Sequence, residues 1–239
     1  MSVITIDNVC KNYKSKKALD NVSLKIDEGE LFGLLGVNGA GKTTLIKILC
    51  GLTKKTRGKI TIKNFDLDRE IDKIKEIIDI SPQETAVANN LSVKENIEFF
   101  ANIYNIDDKK HIEEIISIFK LNDVLNQRAK TLSGGYKRRL SIALALISKP
   151  KILFLDEPTL GLDVFARREL WNIIKKLQKN ITIILTSHYL EEIENLCNRV
   201  AILSKGKLLK TGTIEEIKQI TKSENFEDAF IKLVEVENE

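Results

Sequence analysis

The sequence predicts an α/β protein: a mostly parallel sheet covered on both faces, an N-terminal antiparallel β subdomain and an inserted helical subdomain. Three observations carry this. Short, nearly uninterrupted apolar runs at 31–35, 152–155 and 181–185 alternate with stretches of helical spacing, as strands buried on both faces do. Residues 3–9 and 22–26 instead alternate apolar and polar side chains, the pattern of half-exposed strands. From Leu91 to about Leu125 the periodicity is helical throughout.

The elements follow in order. Tyr13 lies in a lysine-rich turn between the two alternating strands, and Asp27-Glu28-Gly29-Glu30 turns into the first buried strand. A helix covers 44–49, a short strand 59–62, a helix 66–77, and a strand 78–80 that ends in Ser81-Pro82-Gln83-Glu84. Ser92-Val93-Lys94-Glu95 is a capping box, in which the serine hydroxyl and the glutamate carboxylate each take a backbone N–H of the other. Phe99, Phe100, Ile103 and Tyr104 give the helix that follows its apolar face, and Ile112, Ile115, Ile116 and Phe119 line the next, at 110–119. Leu132-Ser133-Gly134-Gly135-Tyr136 opens a helix to Ile147, which Lys149-Pro150 stops. Strand 152–155 ends in Asp156-Glu157-Pro158, a helix spans 164–178, and strand 181–185 ends in Thr186-Ser187-His188. An amphipathic helix at 189–196, a hairpin around Lys205-Gly206 and one helical tail at 214–236 complete the chain.

Gly36-Val37-Asn38-Gly39-Ala40-Gly41-Lys42-Thr43 sits between a buried strand and a helix. That context makes GxxxxGK[ST] a phosphate cradle. Glycines let successive backbone N–H groups converge on phosphate oxygens, and the helix opening at Lys42 adds about half a positive charge. Lys42 reaches the β- and γ-phosphates, and the Thr43 hydroxyl holds Mg²⁺. The core is therefore expected to be that of a P-loop NTPase.

Composition narrows the function. Apolar content of 43% with 30% charged residues is ordinary for a soluble globular protein. A net charge of +4 spread over many lysines is too mild to argue for nucleic acid, and no basic stripe with interleaved aromatics accompanies it. No apolar run reaches the ~18–20 residues of a membrane span, and the start lacks a signal layout. Cys10, Cys50 and Cys197 are too few and too scattered for a disulfide framework or a zinc cluster, which favours a reducing, cytoplasmic setting.

In sheets of this class ligands sit at the carboxyl ends of the strands. Lys42, Gln83, Asp156 and His188 each follow the end of an expected core strand. An acid there is costly unless it meets a cation. Asp156 completes the Mg²⁺ site with Thr43, and Glu157 polarises the attacking water as general base; the alternative is that both acids cap the turn at Pro158. His188 either bonds the γ-phosphate and holds the water or caps the helix after it. Gln83 either senses Mg²⁺ and water with its amide or is a plain loop residue.

LSGGY at 132–136, followed by KRRLSIALAL, resembles the signature of ATP-binding cassette (ABC) ATPases. The order also matches that family: phosphate loop, Gln83, signature, ILFLDE, Gly161-Leu162-Asp163 and His188. The resemblance implies one nucleotide-binding domain over residues 1–239, with a helical subdomain at about 88–147 and a helical tail at about 213–239. It implies ATP and Mg²⁺ as ligands. Gly36, Asn38, Gly39, Ala40, Gly41, Lys42, Thr43 and Thr44 would contact the nucleotide, and Tyr13 would stack on adenine unless it merely packs in its turn. It implies a head-to-tail sandwich dimer in which Ser133, Gly134 and Gly135 of one copy close over the ATP of the other, with Asp163 at the interface. Catalysis would fall to Glu157, His188 and Gln83, and the metal to Thr43, Gln83 and Asp156. The chain departs from the family pattern at Tyr136, where glutamine is usual, and at Val164, where proline is frequent.

Three stretches, LSVKENIEFFANIYNI, the segment from KTLSGGY to GLD, and ENFEDAFIKLVEV, resemble the exporter ATPases of drug, lipid and sodium-efflux systems. In that group the membrane-spanning permease is often a separate chain. The expectation is an ATPase subunit at the inner face of the cell membrane, bound to such a permease and to a second copy of itself or a related cassette. The alternative is a soluble ATP switch on ribosomes or nucleic acid.

Overall fold

The computed structural model describes residues 1–14, 16–178 and 180–236. In chain order the elements are β1 (Ser2–Tyr13), β2 (Lys16–Asp27), β3 (Leu31–Leu35), α1 (Lys42–Leu49), β4 (Arg57–Ile62), β5 (Phe65–Asp66), α2 (Ile71–Lys75) and β6 (Ile78–Ser81). Then come α3 (Val93–Ile103), α4 (Lys109–Ile118), α5 (Gly134–Leu146), β7 (Ile152–Asp156), α6 (Val164–Leu177), β8 (Thr182–Ser187) and α7 (Leu190–Leu196). β9 (Arg199–Ser204), β10 (Lys207–Gly212), α8 (Ile214–Thr221) and α9 (Phe226–Val236) follow.

The strands form two sheets. One is antiparallel, in the order β2-β1-β4-β5; the other runs β10-β9-β3-β8-β7-β6. In the second, β9, β3, β8, β7 and β6 are parallel neighbours, and β10 adds an antiparallel edge through its hairpin with β9. The alternation of side chains along a strand splits the buried runs between two cores. Leu31, Leu35, Leu153, Leu155, Ile183 and Leu185 face the helices α3, α5, α6 and α7. Phe32, Leu34, Ile152, Phe154 and Ile184 face α1 and the antiparallel sheet. The fold is that of a P-loop NTPase with an N-terminal antiparallel sheet and an inserted helical layer.

Local chemistry explains the element ends. The capping box forms: Glu95 N donates to Ser92 Oγ at 3.1 Å and Ser92 N to Glu95 Oε2 at 2.7 Å. α5 is buried on every side from Arg138 to Leu146, so its sequence has little helical amphipathicity.

Three expectations need correction. Tyr13 ends β1 and pairs with Lys16 rather than lying in a turn, because both long strands continue through their lysines by register shifts; Ser15 lies outside the described residues. The helix expected at 66–77 is only Ile71–Lys75. Lys63 and Asn64, both at positive φ, turn the chain so that Phe65 and Asp66 pair back onto β4. The tail is two helices: Lys222 ends α8 at φ +51°, and the Asn225 side chain accepts the Asp228 N–H at the start of α9. Residues 237–239 of the expected tail lie outside the described residues.

Asp79 of β6 joins the helical layer to the core. Its carboxylate accepts from Tyr104 Oη at 3.0 Å, Ser148 Oγ at 2.9 Å and the Ile80 N–H at 2.7 Å. Burial nevertheless raises its pKa, and burial beside it pushes the Tyr104 phenol to about 12. Because the folded value lies above the unfolded one (about 3.9), the folded state holds the proton more tightly. That contribution to stability is complete below the unfolded value and is lost as pH rises through the folded one. Asp79→Asn cannot ionise, and both hydroxyls can accept from its amide. Its urea midpoint is expected to exceed that of the wild type at pH 7 and to converge with it toward pH 4.

Candidate active site

The loop after β3 is shaped by contact and by backbone angle. A Cβ on Gly36 would lie 2.4 Å from the Leu203 carbonyl and 2.9 Å from Ala40 Cβ. Gly41 sits at φ +110° with Ala18 O in the way of any side chain, so both positions require glycine. α1 starts at Lys42 with no side-chain cap, leaving its first N–H groups directed into the loop. Lys42 is 6% exposed; its Nζ donates to Gly36 O at 2.6 Å and to Val37 O at 3.5 Å.

The acids come from the end of β7. Asp156 Oδ1 accepts from Thr186 Oγ1 at 2.6 Å and from Thr43 Oγ1 at 3.2 Å. Glu157 occupies the left-handed region at φ +50°, and its N–H donates to Thr186 Oγ1 at 2.9 Å. Its Oε1 lies 3.4 Å from Lys42 Nζ and its Oε2 2.7 Å from His188 Nδ1. Neither carboxylate caps the turn at Pro158, and His188 does not cap α7, whose N-cap is Tyr189 without a side-chain bond. The capping alternatives for these three residues are thereby corrected: Asp156 takes two threonine hydroxyls, and Glu157 takes Lys42 and His188, so the buried carboxylates are satisfied inside the site.

Lys42, Glu157 and His188 line a cavity of about 590 Å³ with Asn38, Gly39, Ala40, Gly41, Thr43, Thr44, Gln83 and Tyr13, a volume in the range of small-ligand sites; Gly36 and Asp156 lie behind its wall. Tyr13 is half-exposed at the rim, with the Lys11 ammonium 4.6 Å from its ring centroid. Thr43 and Asp156 offer two hard oxygen donors side by side. No cluster of three or more acidic, histidine or cysteine ligands occurs among the described residues. That donor set fits Mg²⁺, which keeps several waters and takes one or two protein oxygens plus phosphate. No hydrogen bond joins Gln83 to either donor among the described residues.

Ser133, Gly134, Gly135 and Asp163 lie outside this cavity. Ser133 caps α5 with a long bond to Tyr136 N at 3.4 Å, and a Cβ on Gly134 would meet open space. Asp163 caps α6, its Oδ1 accepting from Phe165 N and Ala166 N at 2.9 Å each. Val164 and Phe165 beside it are exposed. Sequence reasoning missed Thr186, which braces both acids, Arg138, which bonds the backbone around them, and Lys16, Ala18 and Leu160 in the cavity wall. The signal for Thr186 was present: it is a polar residue near the end of an apolar strand and pairs in register with Asp156.

Comparison with known proteins agrees with this geometry. The family model for ABC transporters matches residues 19–160. The linearmycin resistance ATP-binding protein LnrL of Bacillus subtilis (strain 168) is 37% identical over 215 residues, covering 88% of this chain and 69% of the relative. The daunorubicin resistance ATP-binding protein DrrA3 of Streptomyces coeruleorubidus is 36% identical over 224 residues, covering 92% and 71%. A solved dimeric post-hydrolysis state of the ATP-binding cassette MJ0796 bound to ADP and Pi superposes with a TM-score of 0.78 at 27% identity, covering 88% of this chain and 98% of that one. The chain belongs to the ABC transporter family, as one of its ATP-binding and ATP-hydrolysing subunits.

Proposed function

We propose that residues 1–239 act as one nucleotide-binding domain that drives an exporter, working as a nucleotide-sandwich dimer on a separate membrane-spanning permease. The observation that carries this reading is the convergence of Lys42, Thr43, Glu157, His188 and Gln83 from four strand ends on one cavity.

In this reading Lys42 turns from the Gly36 carbonyl toward the β- and γ-phosphates of ATP, and the N–H groups of the 36–44 loop donate to the phosphate oxygens. Tyr13 stacks on the adenine. Thr43 and Asp156, with Gln83, would hold Mg²⁺, which would neutralise charge on the phosphate oxygens. Glu157 accepts a proton from the attacking water at its carboxylate, while His188 orients that carboxylate through Nδ1. The start of α5 supports the sandwich: Ser133, Gly134 and Gly135 form an anion-binding helix end with no anion site in their own chain's cavity. The second copy's ATP is their ligand, and Asp163 and its exposed neighbours face that copy. Chemistry rests on positioning and charge stabilisation.

Outward transport is the direction that relatives named for linearmycin and daunorubicin resistance support. Among the described residues no helix is long and apolar enough to cross a membrane. The transport path is assigned to the permease, and this subunit to the cytoplasmic face.

Lys42→Ala is expected to abolish ATP binding measured with a fluorescent analogue. Glu157→Gln is expected to bind ATP, accumulate as a dimer on size exclusion, and hydrolyse about 10²–10³-fold more slowly. Wild-type turnover in Glu157→Gln would remove the base from the mechanism. Tagged Glu157→Gln with MgATP, applied to detergent-solubilised native membranes, is expected to recover a multi-span protein that Lys42→Ala does not. Recovery of ribosomal or nucleic-acid partners instead would replace the exporter reading by a soluble switch.

A further inference from the structure

The mechanism above leaves unused a buried cation on the second turn of α5. Arg138 is 4% exposed, and no carboxylate among the described residues pairs with it within ion-pair distance. Its donors go to main-chain carbonyls. Nε donates to Pro158 O at 2.8 Å and Nη2 to Asp156 O at 2.8 Å, while Nη1 donates to Pro82 O and, at 3.5 Å, to Gln83 O. Two of these acceptors belong to the residues immediately before and after Glu157. Glu157 itself sits at φ +50°, a region that side-chain-bearing residues avoid unless the surroundings hold them there. The other acceptors belong to the loop after β6. A planar guanidinium presents its donors in a fixed fork, so it can hold two backbone segments at one separation, which a lysine ammonium cannot. Burial lowers the Arg138 pKa to about 10, with the nearby Asp156, Glu192 and Glu157 charges opposing the shift, so the group remains charged at neutral pH.

We propose that Arg138 is a positioning residue for hydrolysis: its guanidinium clamps the backbone on both sides of Glu157, with the Pro82 and Gln83 carbonyls as its abutment. The proposal rests on the reading of Glu157 as the base. The 36–44 loop, which takes the ground-state phosphates, makes no hydrogen bond with Arg138 among the described residues, so the clamp bears on the hydrolytic step and not on nucleotide affinity. It also ties that step to α5, the helix that Ser133 caps.

The test is single-turnover hydrolysis of radiolabelled ATP by the full chain, alongside its affinity for a fluorescent ATP analogue. Arg138→Gln is expected to slow hydrolysis by about 10²-fold, the scale of a small misplacement of a reacting group, with affinity within about threefold of wild type. Arg138→Lys, which keeps the charge and loses the fork, is expected to recover only part of the rate. On a Glu157→Gln background, Arg138→Gln is expected to change the residual rate by less than about threefold, because its route of action is gone. Unchanged hydrolysis in Arg138→Gln would overturn the proposal. So would affinity falling in step with rate, or a full multiplicative loss on the Glu157→Gln background, since either is the mark of general disruption. If urea titration finds Arg138→Gln unfolded, Arg138→Lys carries the same comparison, with an expected loss of about tenfold at unchanged affinity. A wild-type chain that binds ATP and never hydrolyses it would overturn the functional reading first, and the proposal with it.

Discussion

A lysine ammonium held almost entirely out of water must be neutralised where it lies. Lys42 meets this demand with two loop carbonyls and the Glu157 carboxylate. Glu157 is also a buried charge and takes His188 as its second partner, while Thr186 ties its N–H to Asp156. One requirement thus propagates from β3 through β7 to β8. Buried ion pairs are poor sources of net stability, because desolvation cancels most of the attraction, and losing one partner typically costs about 3–5 kcal/mol. A cluster that contributes so little to holding the fold is better explained by what it does to phosphate and water.

The remainder of the architecture serves to keep these strand ends together. Leu31 and Leu35 face one core, Phe32 and Leu34 the other, and β7 and β8 repeat that division. Sheet geometry therefore fixes the strands from both sides, and their carboxyl ends cannot drift apart without exposing one core. α5 lies against this sheet with nine successive residues buried. Its polar members, Arg138, Arg139 and Ser141, each reach toward a polar partner or another buried chain segment, as Ser141 does toward Ser81 at 3.1 Å.

Much of this was legible in the sequence. The all-apolar runs announced strands buried on both faces, and the loop at 36–43 announced its ligand, because few physical settings need those glycines beside a lysine. The motifs that follow strand ends converged because parallel topology leaves them nowhere else to go. What was not legible depended on contacts between distant segments. Lys16 and Lys17 have poor strand propensity and are strand only because β2 pairs with β1 there. Asp66 and its neighbours carry helical spacing, yet two residues at positive φ send Phe65 back onto β4. Arg138 follows the signature as one of three basic residues, and nothing local discloses that its acceptors lie at the ends of β6 and β7.

The pairing of β3 also bears on how the chain is made. Among the described residues the sheet partners of β3 are β8 and β9, which begin at Thr182 and Arg199. During synthesis the ribosome must add nearly 150 further residues after Leu35 before the first of these partners exists. At usual elongation rates of about 5–20 residues per second, that interval is roughly seven to thirty seconds. For all of it the apolar segment Leu31–Leu35 and the glycine loop behind it have no sheet to join. The nascent chain is therefore at its most adhesive before its C-terminal third emerges, and its yield in a cell depends on what shelters that strand while it waits.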